Sequence, residues 1–87
     1  MDERVLLERI SIDPAILHGK PRILHTRIPV SMVLELLGAG YSPEAICTDF
    51  YPDLTVEDVR ACILFANQFL TGEDIHFFED LRRPSTA

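Results

Sequence analysis

The segment from Val56 to Leu70 constrains the fold of this chain most, because as a helix it would be apolar around most of its circumference. Thr55 is suited to cap its first turn, and Thr71-Gly72 to end it. A helix that is apolar nearly all round must be buried on more than one side. We therefore predict that it is the core helix of the domain or packs against a second subunit. Its apolar positions are Val56, Val59, Ala61, Cys62, Ile63, Leu64, Phe65, Ala66, Phe69 and Leu70.

A chain of 87 residues is long enough for one small domain and too short for a doubly wound nucleotide-binding enzyme or a TIM barrel. Hydrophobic residues make up 47% and charged residues 25%, which is typical of a folded protein. So small a domain buries only roughly 60–65% of its unfolded surface, which favours association. We expect a homodimer, formed through the N-terminal arm and the third helix. With no long apolar stretch and no secretion signal in the sequence, we also expect it to be cytoplasmic.

Two further helices are predicted before the helix that starts at Val56. Apolar residues recur at helical spacing over Val30–Leu37, and Gly38 and Gly40 are suited to end that helix. Ser42-Pro43-Glu44 combines an N-cap, a first-turn proline and an acid, so a second helix is predicted from Pro43 to about Phe50. The third begins after Thr55.

The first third of the chain is expected to be extended. An alternating run predicts a strand near Glu8–Ile12, before Asp13-Pro14, and His18–Pro21 has the composition of a turn. Asp13 and Thr26 are expected to stabilise turns. The predicted fold class is mainly α (small α+β), a single domain over residues 1–72 with a β-arm at 1–29 and a three-helix bundle at 30–72. Residues 73–87 are predicted to be a C-terminal tail, partly ordered at most, with a turn through Ile75, Phe78 and Leu81.

Charge is unevenly distributed along this chain of net charge −6. Residues 15–34 contain Lys20, Arg22 and Arg27 and no acid, whereas residues 35–80 contain ten acids and only Arg60 as a base. Because phosphate contacts dominate non-specific binding to nucleic acid, the acidic body argues against it. Any DNA contact is expected to fall on the basic segment 15–34.

The second and third helices, joined by a turn at Tyr51–Leu54, have the order of a helix-turn-helix. Many small bundles that bind no nucleic acid share this order, so both interpretations stay open. Glu57 and Asp58 stand at the start of the would-be recognition helix, where carboxylates would face phosphate oxygens unfavourably.

The sequence contains no pattern typical of an enzyme. It lacks a glycine-rich phosphate loop, a nucleophile elbow and a zinc-protease motif, and Cys47 and Cys62 form no paired metal or redox motif. Each cysteine lies among apolar residues, where a role in the core is expected. We predict no enzymatic activity, no cofactor and no metal site.

Several motifs in this order and spacing, over roughly residues 8–70, resemble the family called domain of unknown function 433. The resemblance implies a small prokaryotic protein with a homeodomain-like helix-turn-helix and a short N-terminal β-element. It further implies an antitoxin, often paired with a PIN-like nuclease. The motifs are Ile12-Asp13-Pro14, Gly19-Lys20-Pro21-Arg22-Ile23, Thr26-Arg27-Ile28-Pro29-Val30, Leu34-Glu35-Leu36-Leu37, Gly40-Tyr41-Ser42-Pro43-Glu44, Tyr51-Pro52-Asp53-Leu54-Thr55 and Glu57-Asp58-Val59-Arg60-Ala61.

This chain departs from the family's pattern at His18 and His25, where the resemblance leads one to expect glycine. Histidine tolerates a positive φ angle less well than glycine does. Either the backbone at these positions is ordinary or both sites are strained.

Two functions follow as expectations. In the first, the chain is an antitoxin that binds its own promoter DNA and neutralises a PIN-like nuclease. In the second, it is a dimeric protein–protein interaction module with little or no DNA binding. Arg27 could instead pair with an acid on the helical body. The candidate DNA-binding residues are Lys20, Arg22, His25, Arg27 and Arg60, and the candidate partner-binding residues, by analogy with antitoxins that place arginine in a nuclease site, are Phe78, Leu81, Arg82 and Arg83.

Overall fold

The computed structural model describes residues 2–72, which form a mainly helical α+β fold, as predicted. Within residues 2–72, no helix is both long and apolar enough to cross a membrane. In chain order the elements are α1 (Glu3–Leu7), β1 (Ile10–Ser11), a 3₁₀ turn (Leu17–Gly19), β2 (Arg22–Ile23), α2 (Val30–Gly38), α3 (Pro43–Ala45) with a π-helical continuation (Ile46–Phe50), and α4 (Val56–Thr71).

The longest helix, α4, lies at the centre of the fold. Helices α1, α2 and α3 and strand β1 all pack against it, so several of its sides are covered by the same chain. This arrangement explains why the helix is apolar around most of its circumference and confirms that it is the core helix. The homodimer, which that apolar circumference also suggested, stays a prediction. The core consists of Ile23, Val30, Val33, Ile46, Leu54, Val59 and Cys62.

The predicted starts and ends of the helices are confirmed to within a residue or two. The Ser42 hydroxyl accepts a hydrogen bond from the Ala45 N–H at 3.0 Å and so caps α3. The helix continues to Phe50, where the Tyr51 N–H donates to the Ile46 carbonyl at 2.9 Å in a widened last turn. Helix α2 ends at Gly38, and Gly40 then adopts a φ of +102°, a conformation that glycine readily adopts.

The N-terminal third differs in part from the expectation. A strand does form inside the predicted range, but only Ile10 and Ser11 belong to it; they pair antiparallel with Ile23 and Arg22. Helix α1 was not predicted. Five residues are too few for a stable isolated helix, so α1 depends on packing against α4, where Leu6 is buried. Its local signal is the N-cap Asp2, whose carboxylate accepts from the Arg4 N–H at 3.2 Å.

Candidate functional site

Of the predicted DNA-binding cations, Lys20, Arg27 and Arg60 lie on the surface. Lys20 and Arg27 are exposed, and neither side chain forms an ion pair or hydrogen bond with another residue in the range 2–72. The alternative in which Arg27 pairs with an acid on the helical body is therefore not seen in the described part of the chain. Both cations remain available to an external ligand.

Arg22 is different, because its side chain is buried with 7% of its surface exposed. Its terminal Nη1 donates to the Thr26 carbonyl at 3.0 Å, while its Nε has no hydrogen-bond partner. Thr26 completes the loop, since its hydroxyl donates to the Ile23 carbonyl at 2.7 Å and accepts from the Ile28 N–H at 3.0 Å. Arg22 thus braces this loop from inside, and its burial gives no support to the predicted DNA contact.

The backbone at the two histidines is in the left-handed region. His18 has a φ of +56° and His25 a φ of +67°, and both side chains are exposed. Of the two possibilities left open by the sequence, the strained one is therefore correct. A non-glycine residue in this region costs roughly 1–2 kcal/mol, which the surrounding turn must offset. Both exposed imidazole rings therefore belong to loop residues whose backbone has this left-handed conformation.

The first turn of α4 is closed by a capping box that also anchors α1. The Asp58 carboxylate accepts from the Thr55 N–H at 2.9 Å, and the Asp58 N–H donates to the Thr55 hydroxyl at 3.3 Å. The other carboxylate oxygen accepts from Arg9 Nη1 at 3.0 Å. Asp58 therefore has a structural role. If α4 is the recognition helix of a helix-turn-helix, the other acid in its first turn is Glu57.

Three of the predicted DNA-binding residues, Lys20, His25 and Arg60, line different clefts. Lys20 lies on the edge of a groove between α2 and α4, His25 lines a cleft beside Arg9 and Asp58, and Arg60 lines a third cleft near α1. Nucleic-acid binding needs cations arranged along a phosphate backbone. The DNA contacts of these three residues stay a prediction.

An apolar groove lies between α2 and α4. It has a volume of about 480 Å³. The rings of Phe65 and Phe69 lie 6.5 Å apart along one wall, and Leu70 is 50% exposed at its end. An exposed apolar concavity of this kind is typical of a binding surface. Its lining residues are Lys20, Pro21, Val30, Ser31, Leu34, Phe65, Ala66, Phe69 and Leu70.

The cysteines lack the features of reactive thiols. Burial, with the nearby Asp58 charge, raises the pKa of Cys62 from 9.0 to about 12. Burial also raises the pKa of Cys47, with smaller contributions from Asp58, Glu44 and Glu57. Because the thiolate is the nucleophile, both side chains have less thiolate near neutral pH than an ordinary cysteine has. Among residues 2–72, no cluster of three or more His, Cys, Asp or Glu side chains could hold a metal ion.

The predicted partner-binding residues Phe78, Leu81, Arg82 and Arg83 lie outside the described residues. The groove itself was missed from the sequence, although the apolar circumference of α4 was a signal for it. Periodicity showed that Phe65, Phe69 and Leu70 are apolar positions of a helix. It could not show that the helices covering the rest of α4 leave this side open.

Comparisons with known proteins place the chain among relatives. No curated protein sequence matches it. A crystal structure of a DUF433 member protein from Anabaena variabilis ATCC 29413 is similar, with 29% sequence identity and a TM-score of 0.61 over 84% of this chain and 69% of that one. The family model described as "Protein of unknown function (DUF433)" matches residues 10–66, well over half of the chain. This chain therefore belongs to the DUF433 family.

Proposed function

We propose that this chain is a non-enzymatic protein–protein interaction module of the antitoxin type. Its binding site is the groove between α2 and α4, and its ligand is an apolar protein segment that carries carboxylates. The observation that carries this proposal is the groove itself, a concavity of about 480 Å³ whose walls are almost entirely apolar.

The chemistry of the groove supports this choice of ligand. Lys20 and Ser31 are the polar side chains among its lining residues, and Lys20 has no ion-pair partner within residues 2–72. Apolar side chains of a ligand would gain roughly 25 cal/mol for each Å² that they bury. A carboxylate next to them would meet the exposed ammonium of Lys20, which favours one orientation of the bound segment.

The arrangement of charge makes protein a better ligand than DNA. Arg22 is buried, and the cations Lys20 and Arg60 line different clefts. Glu57 and Asp58 occupy the first turn of α4, where a recognition helix would approach the phosphates. These features support the interaction module as the first candidate.

The test is co-expression with the protein encoded by the neighbouring gene, followed by size-exclusion chromatography. We expect a complex that Leu70→Ser weakens and Ile63→Ser does not. The two residues are matched, because both are apolar residues of α4 with 50% and 45% of their surface exposed, but Ile63 lines a different cleft. Equal complex formation by both variants would refute the proposal that the groove is the binding site.

Promoter binding with autoregulation is the second candidate, favoured by the exposed Lys20 and Arg27 in the acid-free segment 15–34. A mobility shift on the chain's own upstream DNA tests it. If both cations contact phosphate, binding should weaken about tenfold between roughly 50 and 200 mM salt. A salt-sensitive shift lost in Lys20→Ala and Arg27→Ala would establish this candidate, and no shift with folded protein would exclude it.

A further inference from the structure

We infer that α4 pairs with α4 of a second copy of this chain, antiparallel and about a two-fold axis that passes between Ile63 and Leu64. The face that makes this contact lies beside α1 and is separate from the groove between α2 and α4. The inference goes beyond the proposed function, because it assigns a different surface to a different partner.

The face is a stripe of residues along one side of α4. Its members recur at positions i, i+3, i+4 and i+7, so they lie one above another on the helix. Ile63 is 45% exposed, and the residues at both ends of the stripe are exposed and polar. The stripe consists of Arg60, Ile63, Leu64 and Asn67, and Glu3 and Leu6 of α1 complete a cleft of about 560 Å³.

The spacing makes this stripe complementary to itself. In an antiparallel pair centred between residues 63 and 64, residue 63 of one copy lies level with residue 64 of the other, and residue 60 with residue 67. Two apolar side chains from each copy then meet at the centre. At each end, the Arg60 guanidinium faces Asn67, whose carboxamide oxygen can accept a hydrogen bond from it. The two Arg60 residues stay about 10 Å apart along the axis.

Helix α1 places an acid near each Arg60 of such a pair. Arg9, just after α1, donates to Asp58 in the first turn of α4, and Glu3 at the other end of α1 lines the cleft, so α1 runs antiparallel to α4. From Arg9 back to Glu3 the helical rise is about 9 Å, which brings Glu3 level with Leu64. Because Cα–Cβ bonds tilt towards the N-terminus of a helix, the carboxylate of Glu3 extends on towards the level of Asn67. Arg60 of the second copy lies at that level.

Both charged groups are available for this contact. Within residues 2–72, neither Arg60 nor Glu3 forms an ion pair or a side-chain hydrogen bond. A two-fold axis repeats each contact, so the interface contains two Arg60–Glu3 pairs. The chain itself therefore supplies the matching charge at the matching position, which favours a second copy over an unrelated partner.

Mixing two charge-reversal variants of the full-length chain tests this arrangement. Arg60→Glu sets acid against acid across the interface, and Glu3→Arg sets cation against cation. Either variant alone should raise the dissociation constant of the dimer by about tenfold or more in sedimentation equilibrium. An equimolar mixture should restore the dimer, because both pairs of the mixed dimer are again attractive. A pair within one molecule would not respond to mixing.

Ile63→Ser tests the apolar centre without a change in α1. Both copies lose the side chain, so the dissociation constant should rise by about tenfold to a hundredfold. The matched control is Leu70→Ser, a residue of similar exposure that lines the groove, and it should leave dimerisation unchanged. Arg27→Glu controls for the change in net charge, because Arg27 is exposed and lines neither surface. Circular dichroism would confirm that each variant is folded.

A folded parent chain that stays monomeric up to roughly 500 µM would overturn the inference, since a specific interface should associate below that concentration. So would a dimer that Leu70→Ser dissociates and Ile63→Ser does not. Folded charge variants whose mixture remains monomeric would refute the antiparallel pairing. None of these results decides the proposed function, because Ile63→Ser should reduce the number of copies in the complex and still leave the partner bound in the groove.

Discussion

Asp58 should be one of the side chains on which the stability of this fold depends most. Its carboxylate accepts hydrogen bonds from the Thr55 N–H at 2.9 Å and from Arg9 Nη1 at 3.0 Å. The side chain is 13% exposed, so water can replace these donors only in part after truncation. Asp58→Ala removes the side-chain half of the capping box of α4 that Asp58 provides and, in the same change, the link to Arg9, two residues after the end of α1.

The magnitude follows from the two contacts. Loss of the capping interaction costs about 1 kcal/mol. The charged hydrogen bond from Arg9 adds about 1 kcal/mol, at the lower end of its range because the Arg9 side chain is 34% exposed and solvent screens it. For a domain of this size, a loss of about 2 kcal/mol lowers the melting temperature by roughly 8–16 °C.

Thermal and urea unfolding, followed by far-UV circular dichroism, would measure the effect. Glu57→Ala is the matched control, because Glu57 is the adjacent first-turn acid and forms no side-chain hydrogen bond or ion pair within residues 2–72. It should lose only about 0.5 kcal/mol of helix-dipole stabilisation. A double-mutant cycle with Arg9→Ala should give a coupling energy of about 1 kcal/mol. Equal losses for Asp58→Ala and Glu57→Ala, or strictly additive losses in the cycle, would refute this reasoning.

Three further predictions concern the thiols, a strained loop and the buried arginine. Because the pKa of Cys62 is raised to about 12 in the folded chain, the unfolded chain loses the thiol proton at lower pH than the folded chain does. The free energy of unfolding should therefore stay constant below about pH 9 and fall as the pH rises from there towards 12. Urea unfolding at a series of pH values would measure this. An alkylating reagent should accordingly reach Cys62 only on unfolding, and rapid labelling of native protein would contradict its burial. His25→Gly should stabilise the fold by about 0.5–1 kcal/mol by relieving the φ of +67°, whereas Lys20→Gly, at a φ of −72°, should destabilise it; calorimetry of both variants tests the strain. Arg22→Ala should lower the free energy of unfolding by about 1–2 kcal/mol through lost packing and the lost bond to Thr26, while Arg27→Ala should be neutral; a neutral Arg22→Ala would show that the buried side chain does not brace the loop.

Local chemistry was enough to predict much of the fold. Helix α2, the helix from Pro43 to Phe50, and α4 begin and end where caps, prolines and glycines indicated. The turn at Asp13 also formed as expected, with the Ala15 N–H donating to its carboxylate at 2.9 Å. These features depend on residues only a few positions apart, so a short stretch of sequence contains the information that determines them.

The tertiary structure decided which of these residues are available to a ligand. Arg9 and Asp58 are 49 positions apart, and no periodicity indicates that they meet. In the sequence, Arg22 is indistinguishable from the other cations of the basic segment. In the folded chain it lies in strand β2 and is buried. The groove likewise exists only because α2 packs against α4 and leaves Phe65 and Leu70 accessible along one side. Sequence alone determined α2, the helix from Pro43 to Phe50 and α4, because their ends depend on neighbouring residues. Burial and exposure required the packed chain, because they depend on residues far apart in sequence.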